Sequence, residues 1–142
     1  MRRATILLLL LPSACRVHVT GLMPLSPSPE HGGVDSLTPT LQWEPFATQG
    51  DARITEVVYD VRVMLPGGGV VYLKEGLPAC EHRVESPLRP KTRYEWTVRA
   101  RFRWEGQRRV TQWSELARDQ DRTPSTPLPA HPYLPLATPS AP

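Results

Sequence analysis

The sequence predicts an all-β domain folded as a single seven-stranded sandwich, and three observations carry that expectation. Between residues 36 and 123, apolar and polar residues alternate with period two in short runs bounded by Pro and Gly clusters. The same segment has no run with the three-and-four spacing of an amphipathic helix. Of 142 residues, an apolar leader and a Pro-rich end leave about 85–90 to build a core, which suits one sandwich and leaves no room for a second domain.

The runs can be taken in order. Leu41 and Trp43 alternate with Thr40, Gln42 and Glu44, and Pro45 halts the strand. Val57, Tyr59, Val61 and Val63 alternate with Val58, Asp60, Arg62 and Met64 as far as the turn Pro66-Gly67-Gly68-Gly69. Val70 to Leu73 returns, Glu75-Gly76-Leu77-Pro78 turns again, and Cys80 to Glu85 gives a further strand with Val84 inward. The clearest run sets Tyr94, Trp96, Val98, Ala100 and Phe102 on one face against Glu95, Thr97, Arg99, Arg101 and Arg103 on the other. Leu41, Trp43, Tyr59, Val61, Tyr94, Trp96 and Val98 are therefore core candidates.

The ends read differently. Residues 1–14, MRRATILLLLLPSA, have the layout of a secretory signal: two arginines, a short apolar run, then small residues before Cys15. That run is too short for a permanent membrane span. Leu11-Pro12-Ser13-Ala14-Cys15 resembles a bacterial lipobox, with Pro12 where the pattern has an apolar residue. The resemblance implies lipidation of Cys15, a membrane anchor through the acyl chains and, from Arg16, sorting to the outer membrane. Ordinary signal cleavage to a secreted or periplasmic chain is the alternative. Residues 15–35, with Pro24, Pro27 and Pro29, read as a tether with room for one edge strand near residues 21–26. From Pro124 to Pro142 seven of nineteen residues are proline, which predicts a disordered, solvated tail.

Leu88-Arg89-Pro90-Lys91-Thr92-Arg93-Tyr94, followed by Glu95-Trp96-Thr97-Val98-Arg99-Ala100, resembles the signature of fibronectin type III domains, an immunoglobulin-like fold. The resemblance implies that Leu88 plugs the core and that the Tyr94 hydroxyl bonds back across the corner between the two sheets. It also implies a last strand near residues 115–123, where Arg118-Asp119-Gln120-Asp121-Arg122 offers polar groups and predicts a short or frayed one. Phrases such as GLPACEHRVE and TRYEWTVRARF are similar to a group of proteobacterial lipoproteins with one such module, a likeness that implies no activity.

Charge and motif content narrow the function classes. Without Arg2 and Arg3 the chain would carry 15 basic against 14 acidic side chains, too balanced for a nucleic-acid binder. Arg62, Arg99, Arg101 and Arg103 fall on the outward parity of neighbouring strands and predict a cationic stripe. It is either a solvated face or a surface for an anionic glycan or an acidic partner protein. Trp113-Ser114 resembles half of the cytokine-receptor tryptophan-serine element, which implies that Trp113 stacks against Arg99 and Arg101 or, if uncovered, forms a contact hot spot. No His stands near a motif-placed nucleophile. Cys80 and His82 share a strand face but supply at most two ligands, so neither a metal nor a cofactor is expected. The expectation is a monomeric, non-enzymatic envelope module that binds a protein or surface glycan. The alternatives are a secreted accessory domain of a hydrolytic system and a small metal or redox protein using Cys80 and His82.

Overall fold

The computed structural model describes residues 19–116 and 133–141. The expected signal, Cys15 and the part of the expected last strand beyond Leu116 lie outside them. Among the described residues there are ten strands and no helix: β1 Val19–Thr20, β2 Pro24–Ser26, β3 Thr40–Trp43, β4 Ile54–Met64, β5 Val70–Leu77, β6 Glu81–Arg83, β7 Arg93–Trp104, β8 Gln107–Val110, β9 Glu115–Leu116 and β10 Leu134–Ala137. They form a three-stranded sheet ordered β2-β3-β6, a five-stranded sheet ordered β10-β7-β4-β5 with β8 also on β7, and a small β1-β9 pair, every strand pairing antiparallel.

One apolar cluster joins the two larger sheets in a β-sandwich-like arrangement. Leu41 and Trp43 of β3 meet Tyr59, Val61 and Val63 of β4, and Tyr94, Trp96, Val98 and Ala100 of β7. Alternation is the cause: residues two apart on a strand share a face, so each run of apolar positions forms one continuous inner surface. Trp96 is fully buried and Trp43 nearly so, and the Trp43 ring meets Tyr59 edge-on at 5.6 Å between centroids. Leu88 is buried with them, as are all the other core candidates. The Tyr94 hydroxyl accepts the Arg89 N–H at 2.9 Å, satisfying a backbone donor where the chain crosses between sheets.

Two sequence expectations are corrected. Within residues 15–35, β2 is the edge strand for which residues 21–26 left room, but β1 is a paired strand too and Leu22 belongs to the core, so the described part of this segment is not a tether. Within residues 124–142, β10 pairs with β7, and Leu134 and Leu136 are buried at 0% and 1% exposure, so this part is not a disordered tail. Composition misled because proline blocks only strands that need its N–H. β10 is an edge strand of its sheet, and a proline is tolerated there. Of the strand expected at residues 115–123, the described start, Glu115–Leu116, is β9, and the rest lies outside the described residues. Among the described residues, the side of β7 away from β4 is covered by β8, by backbone bonds from Thr111 to Ala100 and from Ser114 to Val98, and then by β10.

β10 is fastened on its far side as well. The Ala137 N–H donates to the Gly32 carbonyl at 2.8 Å, and Val34 donates to the Ala137 carbonyl at 3.1 Å. Gly32 (φ 65°) lies so close to Pro135 that an added Cβ would stand 2.6 Å from its carbonyl oxygen, so a larger residue would push the segments apart. The buried Thr138 hydroxyl donates to the Arg89 carbonyl at 2.6 Å and accepts the Thr92 N–H at 3.0 Å, tying the end of β10 to the corner that Tyr94 closes.

Two outcomes follow. A chain ending at Thr123 should lose about 3–6 kcal/mol, the cost of removing two buried leucines, and should fail to melt cooperatively in a calorimeter where a chain ending at Ala141 does. Trp96→Ala should cost about 3–5 kcal/mol in urea denaturation. Trp96→Phe should cost much less, because the Trp96 indole N–H has no hydrogen-bond partner among the described residues to forfeit.

Candidate functional site

The outward parity of β4 and β7 puts the predicted arginines on one face: Asp60 pairs with Arg99, Arg62 with Thr97 and Val58 with Arg101. Asp60 is at the centre with no exposed surface. One of its carboxylate oxygens accepts the Arg99 Nε–H at 3.0 Å, and the other accepts Arg101 through Nε at 3.0 Å and Nη2 at 2.9 Å. The Gly76 N–H of β5 adds a further bond at 3.1 Å. A buried carboxylate is costly unless its lone pairs are filled. Two guanidiniums and a backbone amide fill them here.

Trp113 extends the arrangement. Its ring is stacked by Arg62 at 4.2 Å and by Arg99 at 4.5 Å, so Arg62 takes the position expected for Arg101, whose fork is turned onto Asp60. Arg62 also lies 5.1 Å from the Tyr133 ring and donates to its hydroxyl at 2.9 Å. Ser114 holds Trp113 in register. Its hydroxyl is buried and donates to the Leu22 carbonyl at 2.6 Å, while its own carbonyl accepts the Thr97 hydroxyl at 2.8 Å. Each cation–π contact contributes about 0.5–1 kcal/mol, or more where water is excluded. Arg103 is turned away to Glu56 at 2.6 Å and to the Gly106 carbonyl at 2.9 Å. The five residues Arg62, Arg99, Arg101, Arg103 and Trp113 are thus close together, but mostly engaged with acids and rings of their own domain.

Cys80 and His82 have different partners. Cys80 is a half-buried free thiol near the Tyr59 hydroxyl. Burial pushes that hydroxyl up, the Cys80 neighbour adds to the rise, and the bond from the Phe46 N–H works against it. His82 stacks on Tyr72 at 5.9 Å and meets its hydroxyl through Nε2 at 2.7 Å. Among the described residues no group of three or more His, Cys, Asp or Glu side chains could hold a metal ion, and no helix is long and apolar enough to cross a membrane. Comparison of the chain with protein-family models, curated proteins and solved structures gives no match.

Sequence reasoning missed Tyr133, because it lies among prolines, although Leu134 and Leu136 alternate beside it. It also missed β8, whose signal was the Glu105-Gly106 pair after a long alternating run.

Burial holds His82 below the ordinary histidine value of 6.5, with Lys74 lowering it further and Glu85 opposing. The Tyr72 hydroxyl already accepts the Glu85 N–H at 3.3 Å, so its own proton is free to donate to a neutral Nε2. In the unfolded chain His82 takes up a proton near pH 6.5, and the folded chain resists doing so. The stabilising effect is therefore complete above that pH and is lost progressively as the pH falls below it. Thermal melts should give a larger drop in Tm between pH 7.5 and pH 5 for the native chain than for His82→Phe, which keeps the stack without a titrating ring.

Proposed function

We propose that the protein is a non-enzymatic cell-envelope module: a fibronectin type III-like domain, anchored through lipid on Cys15, that binds a partner protein along the free edge of β5. One observation carries the binding reading. β5 runs eight residues and pairs only with β4 among the described residues, yet Val70, Val71 and Leu73 are 50%, 46% and 50% exposed. An edge strand with open amides and carbonyls pairs readily with another chain, and soluble proteins ordinarily guard such edges with charge, proline or cover. Lys74 gives some of that guard, but it is engaged with Glu85 at 2.9 Å. An extended segment of a partner added beside β5 would gain main-chain hydrogen bonds and cover the three side chains.

The type III reading is supported by the strand orders β2-β3-β6 and β10-β7-β4-β5 and by the Tyr94 bond at the corner. The arginine face is the less favoured contact, since Asp60, Glu56 and Trp113 already occupy its cations.

The test uses a tagged full chain expressed in a bacterial envelope. Palmitate should label the native chain and not Cys15→Ser. A protein should co-purify with the native chain after mild cross-linking and be lost with the pair Val70→Glu and Val71→Lys, with the Tm of the domain nearly unchanged. Undiminished capture by the double variant would rule out the β5 edge.

A further inference from the structure

At one end of the five-stranded sheet the outer face forms an open trough of about 560 Å³, lined by Glu56, Val58, Arg101, Arg103, Arg108 and Val110 among others. A two-residue turn builds it. Glu105 (φ 50°) and Gly106 (φ 78°) reverse the chain between β7 and β8, which puts Arg103 directly opposite Arg108 and Arg101 opposite Val110. Consecutive positive φ values suit the twist of a tight hairpin, and Gly106 adopts one without strain.

The pairing of Arg103 with Arg108 is unfavourable as it stands. Side chains directly opposite in an antiparallel pair start about 4.5–5.5 Å apart, and like charges at that spacing repel. Arg101 is turned onto Asp60 and Arg103 onto Glu56, whose side chain is 69% exposed. Arg108 has no ion pair or hydrogen bond with any described residue. Setting Arg101 aside, this face of the hairpin has Arg103 and Arg108 against Glu56, a surplus of one positive charge, while Arg109, opposite Phe102, is turned to the other face over the Trp104 ring and onto Gln107. Beside these cations Val110 is 53% exposed, so an apolar surface borders the charged one.

We propose that the trough binds a phosphomonoester with an apolar substituent, its oxygens shared between the Arg108 and Arg103 guanidiniums and its substituent lying on Val58 and Val110. A phosphomonoester is close to dianionic near neutral pH, so it answers both Arg103 and Arg108 where the single charge of Glu56 answers only one, and its three terminal oxygens can serve two guanidinium forks. A carboxylate carries one charge, and Glu56 already supplies one. The site is separate from the β5 edge and does not depend on it.

The test is a titration of the full chain with hexyl phosphate at pH 7.5 and constant ionic strength, read as Tm and by calorimetry. Tm should rise with ligand, since a ligand bound only to the folded state stabilises it. Hexyl sulfate, a monoanion of similar shape, should raise it less. Arg108→Ala should fold with unchanged or slightly higher Tm without ligand and should bind hexyl phosphate about tenfold more weakly or worse. Arg93→Ala, which removes the same charge from an exposed position on β7, should bind normally. Vesicles of phosphatidylcholine with and without phosphatidic acid separate the sources: added binding with phosphatidic acid identifies a lipid headgroup, and its absence beside hexyl phosphate binding identifies a soluble ester. No rise in Tm with hexyl phosphate, or an equal rise in Arg108→Ala, overturns the proposal.

Discussion

Strict alternation along β7 is the constraint from which the remaining structure follows. Tyr94, Trp96, Val98 and Ala100 enter the core, while Thr97, Arg99, Arg101 and Arg103 face the other way. One edge of β7 pairs with β4 almost from end to end; the other is divided between β8 and β10. A slip of one residue would put Glu95, Thr97, Arg99 and Arg101 between the sheets and the rings of Tyr94 and Trp96 in water. The buried carboxylate of Asp60 reinforces the register, because only the observed pairing brings the Arg99 and Arg101 forks to its two oxygens.

The outer face acts as a second, polar layer. Arginine suits it where lysine would not: a planar fork can bond a carboxylate side-on and also lie flat against an indole. Arg99 does both, meeting Asp60 through Nε and Trp113 through its face. Trp113, Tyr133 and the arginine stems thereby cover backbone that would otherwise face water. They also join three distant stretches of chain, since Arg62 lies between an indole before β9 and a phenol before β10. An array of this kind stabilises the domain and leaves little free charge to offer a ligand. The β8 trough differs in this respect, because its unpartnered cation stands beyond the reach of Asp60.

How far the sequence disclosed this depended on the kind of signal. Period-two alternation located β3, β4, β5 and β7 and the inward positions of Trp43, Tyr59 and Trp96, because burial of one sheet face leaves a direct imprint on residue order. It failed where composition stood in for pattern. Prolines concealed Leu134 and Leu136, whose edge position makes Pro135 harmless, and a short leader concealed Leu22 in the core. The arginine face was legible as a set of residues but not in its wiring. Whether Arg62 or Arg101 stacks on Trp113 depends on which guanidinium reaches Asp60 first, a three-dimensional fact with no counterpart in spacing.

The division of one edge of β7 between β8 and β10 bears on biosynthesis. Leu134, Leu136 and Thr138 supply core volume, an edge and the knot at the Tyr94 corner, and they are among the last described residues to leave the ribosome. Until they emerge, the part of β7 that β10 pairs with presents an open flank beside its tryptophan. Before then, what covers that side of β7 among the described residues is β8 and the backbone bonds of Thr111 and Ser114.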